Sequence, residues 1–208
     1  MATELFHDLF TTPTTSNPSS TLAEAIGADH DYFDVCASHI RAASTLAEKT
    51  KWRNQLTWVV ARHAISEELT WYPAMEKHMG PEGKKLADED REQHQAVKND
   101  LSKIQDMSPD DPAFDAAFEL LMTDLHTHIE HEKKYDMPKT EALLSRDESK
   151  QLAAEFQRTK MIVPTRSHPE APNAPPLETL AGLMYAPMDK LKDLMRTFPS
   201  PQEGGTVA

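Results

Sequence analysis

The stretch HAISEELTWYP, from His63 to Pro73, is echoed by HIEHEKKYDMP, from His128 to Pro138. In each, a glutamate follows the first histidine by four residues, and an aromatic and then a proline come after it. Four residues is about one helical turn, so His63 and Glu67 share a helix face, as do His128 and Glu132. Neither pair falls on a wet face. Leu56, Val59, Val60, His63, Glu67 and Ala74 make one stripe, and Phe114, Phe118, Leu121, Leu125, His128 and Glu132 make another. A chain that turns an imidazole and a carboxylate into its core twice must provide them with partners there.

Two more helical stripes complete the pattern. Thr21 and Glu24 have capping-box spacing and open a helix that runs to about Thr50, with Leu22, Ile26, His30, Phe33, Ala37 and Ile40 inward. The second helix is expected over 51–79, stopped by Gly80 and Pro81, and a third over 82–107, with Leu86, Asp90, His94, Val97, Leu101 and Ile104 inward. SPDDP is a turn, and the fourth helix follows it to near Pro138. Strand signals are nearly absent. Four long helices with short connections predict an all-α, up-down four-helix bundle over residues 21–144. Residues 1–20 read as a flexible lead-in. Residues 145–208 read as a C-terminal helical extension. It begins with a Ser145–Glu148 capping box and includes the proline-rich strap VPTRSHPEAPNAPP and an amphipathic tail interrupted by Pro187.

Composition removes several function classes. The formal net charge is −12, from 34 acidic against 22 basic residues, which argues against a nucleic-acid or anionic-membrane partner. No apolar run is long enough to span a bilayer, and no signal peptide is evident. With Cys36 as the single cysteine, neither an intrachain disulfide nor a thiolate metal cluster can form. The default setting is reducing and cytoplasmic. No phosphate-binding glycine loop appears.

The chemistry therefore rests on histidine and carboxylate. Each of the four stripes sends an imidazole inward, His30, His63, His94 and His128, and two also send Glu67 and Glu132. An unpaired buried carboxylate costs several kcal/mol or takes up a proton. Two divalent ions satisfy the set best, each taking two histidines, with the carboxylates bridging. Nitrogen and oxygen donors without thiolate select iron, manganese or zinc. His131, three residues past His128, flanks this set as ligand, outer base or surface residue. Glu68 can reach the metal or hydrogen-bond a ligand histidine. Phe33, Trp71, Tyr72 and Tyr135 are placed to line a pocket or to pack the core. His39 and His126 face away, His7, His78 and His168 look peripheral, and Cys36 reads as a packing residue.

With ADHDYF around His30, HAISEELTWYP, REQH ending at His94 and LHTHIEHEKKYDMP, the chain resembles the hemerythrin-like, or HHE cation-binding, family from about Leu22 to Leu144. The resemblance implies a four-helix bundle holding two iron ions in a non-haem di-iron centre. His30, His63, His94 and His128 would be ligands, Glu67 and Glu132 bridges, and one position would be open to dioxygen or a related small ligand. Oxygen-carrying relatives place a second histidine four residues after the one matching His94. Here that position is Lys98, which cannot ligate. They also use an aspartate five residues after the fourth-helix histidine, where this chain has Lys133 and uses Glu132 instead. One iron thus lacks a histidine and is more open, or recruits His131, Glu68 or water. The four-histidine, two-glutamate set is similar to that of the iron- and oxygen-sensing domain of a ubiquitin-ligase subunit. The extension resembles those of fungal hemerythrin-like proteins, placed to close one bundle end or to mediate self-association. Two functions follow as expectations: binding of dioxygen, nitric oxide or iron for sensing, storage or detoxification, or oxidase or oxygenase chemistry on a small organic substrate.

Overall fold

The computed structural model describes residues 20–173 and 177–205. Among them there is no strand, and the long helices form the expected all-α bundle. The first helix, α1 (Leu22–Ala42), is opened by the Thr21–Glu24 capping box. It ends well before Thr50, because a second capping box, Thr45–Glu48, starts α2 (Leu46–Leu69). Each box satisfies N–H groups that a helix start otherwise leaves unpaired. That second box is plain in the sequence and sets a boundary the apolar stripe alone does not.

The expected 51–79 helix is divided. After α2 the backbone departs from helix at Thr70 (φ −124, ψ −59), and α3 (Trp71–Met79) follows. Pro73 explains the break: it has no N–H for the Leu69 carbonyl, and its ring crowds that oxygen. α4 (Pro81–Ile104) starts with proline in its first turn. A Cβ on Gly83 would lie 2.0 Å from the Met75 carbonyl oxygen, so glycine permits the close α3–α4 approach.

The second proline of the repeated phrase also perturbs its helix. α5 (Phe114–His131) runs into a π-helical turn, Glu132–Asp136, in which the Met137 N–H bonds the Glu132 carbonyl. α6 (Met137–Leu143) then continues past Pro138. The wide turn adds one residue to the helical period. Tyr135, expected on the His128 face, is instead 42% exposed, and Asp136 takes the inward place.

Two apolar clusters fill the interior. One joins Phe33 and Ile40 of α1, Leu56 and Val60 of α2, Val97 and Leu101 of α4, and Phe118 and Leu125 of α5. The other joins Leu22 and Ile26 to Trp71, Tyr72, Met75, Leu86 and Met137. Each such buried side chain contributes about 1.5–3 kcal/mol. Along α1, along α4 and from α2 into α3, the inward histidine lies, in sequence, between segments belonging to the two clusters. The polar layer is therefore held between two apolar ones.

α7 (Arg146–Lys160) packs on α1 and α2, with Phe156 buried in the second cluster. Its Ser149 hydroxyl accepts the Leu22 N–H at 2.9 Å, tying it to the start of α1. The strap then crosses α4. Ser167 Oγ donates to the Lys98 carbonyl at 2.6 Å, and Ser167 and Gln105 exchange two hydrogen bonds. α8 (Leu177–Asp193) is joined to the strap by His168–Asp189 at 2.8 Å and by Thr165–Asp193 at 2.6 Å. Met184, Met188 and Leu191 of α8 are exposed. The sequence stretch 1–20 lies, but for Ser20, outside the described residues, and so does His7.

Candidate metal centre

The six side chains singled out from the stripes converge. His30, His63, Glu67, His94, His128 and Glu132 are all buried, none more than 3% exposed. One donor atom from each of Glu67, His94, His128 and Glu132 lies within 4.8 Å of the others, and the same holds for His30, His63 and Glu67.

The two carboxylates span these groups. Glu67 sets Oε1 3.1 Å from His63 Nε2 and Oε2 3.3 Å from His94 Nε2. Glu132 sets Oε2 3.5 Å from His30 Nε2 and Oε1 3.1 Å from His128 Nε2. Each carboxylate thus gives one oxygen to the His30–His63 half and the other to the His94–His128 half. His30 and His63 turn their Nε2 atoms toward each other at 3.0 Å.

These distances suit hydrogen bonds, but the directions do not. Both Glu67 oxygens, Glu132 Oε2 and His128 Nε2 are buried without a properly directed partner. Lone pairs that converge on shared space instead of on one another have the arrangement a cation needs, and these groups are close enough to hold one. The donor chemistry, four nitrogens and two carboxylates, fits first-row divalent metals.

Three of the four outer nitrogens are anchored, while His30 Nδ1 is buried without a partner. His63 Nδ1 is 3.0 Å from Asp29, which Lys160 holds at 2.6 Å. His94 Nδ1 is 2.9 Å from Glu68, which Lys98 holds through two contacts of 2.7 Å. His128 Nδ1 is 3.2 Å from Gln93. An acceptor at Nδ1 fixes the tautomer that leaves Nε2 free to ligate. Glu68 therefore sits behind His94, and Lys98 neutralises Glu68. Tyr72 adds a hydroxyl 3.2 Å from His94 Nε2 and 3.5 Å from Glu132. The Phe33 ring stands edge-on to His63, with centroids 5.0 Å apart. Trp71 packs behind, its Nε1 donating to Thr140.

The remaining candidates fall elsewhere. His39 is exposed and stacks on Trp52, His126 pairs with Asp34 on the surface, and His168 binds Asp189. Cys36 is buried, and that burial pushes its thiol up to about 12, which makes it inert. His131 belongs to neither donor group at the centre. It lies 2.9 Å from Asp136 and 3.5 Å from Asp90. Asp90 and Asp136 are the residues that sequence reasoning did not single out. The signal for Asp90 was present: a lone aspartate on an apolar stripe, one turn before His94. Asp136 had no such signal, because only the π-turn brings it inward.

Burial opposes a charge on His63 and His94, but neighbouring carboxylates outweigh it. Glu67 and Asp29 raise His63 to about 10, and Glu67 and Glu68 raise His94 to about 9. Burial pushes Glu67 up, yet His63 and His94 hold its carboxyl well below the usual range. For the metal-free fold the sign is clear: a raised histidine adds stability that is fully present below about pH 6.5 and lost as pH rises through 9–10. A metal competes for the same nitrogens, so its affinity rises with pH over that window. Loading the metal-free protein at pH 7.5 is expected to release about two protons per chain, from His63 and His94, as measured by pH-stat titration. Release of none would contradict this protonation pattern.

Residues 21–140 match the family described as the hemerythrin HHE cation binding domain. An uncharacterized hemerythrin-like protein of Schizosaccharomyces pombe is 44% identical over 178 residues, covering 86% of this chain and 88% of that protein. No solved structure matches. No helix among the described residues is long and apolar enough to cross a membrane. The family match covers all four histidine-bearing helices, and the relative's similarity runs beyond them, so the chain belongs to the hemerythrin HHE cation-binding family.

Proposed function

We propose that the chain is a non-haem di-iron protein that binds dioxygen or a related small ligand such as nitric oxide. The observation that supports it most is the division of each carboxylate between two histidine pairs. His30 and His63 would hold one iron, His94 and His128 the other, and Glu67 and Glu132 would bridge them. Ferrous iron held by these residues would supply the electrons and Lewis acidity that binding a diatomic ligand needs. The chain's own residues do the rest. Asp29, Glu68 and Gln93 orient the imidazoles, the flanking apolar clusters exclude water, and the Tyr72 hydroxyl is placed to hydrogen-bond a group at the centre.

The closure of the site favours a diatomic over an organic substrate. All six donor residues are sealed from solvent. A cavity of about 30 Å³ between α2, α4 and the strap reaches Lys98, the residue that holds Glu68 behind His94. None of the six donor residues lines that cavity, so it is the burial of the donors themselves that disfavours a bulky substrate. Iron, ahead of manganese or zinc, rests on the family. The exposed Met184, Met188 and Leu191 of α8 are where the extension would self-associate.

The test is an absorption spectrum of protein reconstituted with ferrous iron without oxygen. Adding dioxygen or nitric oxide should produce new charge-transfer bands in the near ultraviolet, and Glu132→Ala should abolish them. A spectrum that neither gas changes would refute the reading.

A further inference from the structure

We propose a third divalent-cation site, formed by Asp90, His131 and Asp136, beside the two-metal centre. It is built from residues that the centre does not use. Asp90 lies one turn before His94 on α4. His131 is the last residue of α5, and Asp136 closes the π-turn that begins at Glu132. One donor atom of each lies within 4.8 Å of the other two.

Both aspartates are completely buried. Neither oxygen of either carboxylate has a properly directed hydrogen-bond partner, nor does His131 Nδ1, although that nitrogen is 2.9 Å from Asp136 and 3.5 Å from Asp90. The mismatch between close distance and wrong direction is the one seen at the main centre. Two carboxylates facing each other in a core, with no directed donor, are costly unless a cation or proton joins them. Arg91, the cation next in sequence to Asp90, is turned away to Glu76 and Asp88. Within the pair's reach His131 is the one ion-pair contact, so the metal-free site holds its carboxylates by a proton, burial raising Asp90 to about 9, and by that imidazole.

The π-turn makes the site. A regular α-helix would put residue 135 on the His128 face, where a tyrosine cannot serve this role. The extra residue instead delivers Asp136 toward Asp90. Such single wide turns recur at functional positions in helices.

The donors define the ligand class. One imidazole nitrogen with two carboxylates suits Mn²⁺, Fe²⁺ or Zn²⁺; Ca²⁺ prefers six or more oxygens. Three protein donors leave coordination positions to water. The His131 side chain is 26% exposed, so one edge of the site meets solvent. The third ion should bind more weakly than the other two and exchange readily.

The experiment is a Mn²⁺ titration of the metal-free full-length protein, counting free ion by electron paramagnetic resonance. Wild type should take up three equivalents, one of which is lost on gel filtration. His131→Gln and Asp136→Asn should each weaken that exchangeable equivalent at least ten-fold and leave the two retained ones in place. Both replacements are close to isosteric, and thermal melts of the metal-free variants check that they fold. Uptake that stops at two equivalents would overturn the proposal and leave Asp90 and Asp136 as counter-charges to the main centre. Loss of a retained equivalent in either variant would overturn it too, by assigning that residue to the centre. If wild type bound one exchangeable ion alone and His131→Gln removed it, the third site would stand and the two-metal reading would fall.

Discussion

Glu67→Ala should empty the proposed centre: bound metal is expected to fall from about two ions per chain to below about 0.5, as counted by elemental analysis of untagged protein. The size of the effect follows from geometry. Glu67 is the carboxylate whose two oxygens reach His63 and His94, so its removal takes a donor from both halves at once. The metal-free fold suffers as well. His63 and His94 lose the anion that outweighs their burial, and breaking a buried pair costs about 3–5 kcal/mol. The imidazoles can shed their protons in response, so the loss should lie nearer 2 kcal/mol, read from urea unfolding of chelated protein. His39→Ala is the control. Its ring stacks on Trp52 at the surface, 3.8 Å between centroids, and its loss should cost about 0.5–1 kcal/mol and no metal. Equal metal loss in both variants would contradict the assignment of faces.

Phe156→Ala should be the most destabilising apolar truncation in α7, at about 3–5 kcal/mol. The ring is fully buried in the cluster with Leu22, Trp71, Tyr72 and Met75, and it stands edge-on to His63 with centroids 5.5 Å apart. α7 also carries Lys160, which holds Asp29 behind the same histidine. The truncation should therefore loosen His63 and speed metal loss to a chelator, beyond its effect on the melting temperature. Met195→Ala, at a position 88% exposed, should change stability by less than about 0.5 kcal/mol. If Phe156→Ala behaved like Met195→Ala, the extension would be a loose attachment and not part of the bundle's core.

The helical stripes were legible because burial repeats with the helix period. Leu22, Ile26, Phe33 and Ile40 on one helix and Phe114, Phe118, Leu121 and Leu125 on another are all buried as the spacing requires. The burial of His30, His63, Glu67, His94, His128 and Glu132 was legible for the same reason, since a polar residue on such a stripe has nowhere else to go. The pairing of carboxylate oxygens with particular histidines was not, because it depends on how helices are rotated against one another. Local helix chemistry set the misses. Thr45 and Glu48 end the first helix early through a cap. Pro73 breaks the second at Thr70, and the π-turn after His131 exchanges Tyr135 for Asp136. One turn after His94, where the family pattern has a second histidine, stands Lys98, which neutralises Glu68. One turn before His94 lies Asp90, buried and without a directed partner.

The packing of α7 and the strap shows another limit. Ser149 bonded to the start of α1, Ser167 to α4 and Lys160 to Asp29 are contacts between distant residues. No periodicity announces them. One of them bears on the histidines directly: Lys160 holds Asp29 behind His63, and such an outer partner decides which ring nitrogen faces inward.

The most direct measurement is anomalous scattering at the iron edge from crystals of iron-loaded, full-length protein. Two strong peaks should appear between Glu67 and Glu132, one beside His30 and His63 and the other beside His94 and His128. A single peak there, or none in iron-replete crystals, would contradict a two-metal centre bridged by these carboxylates.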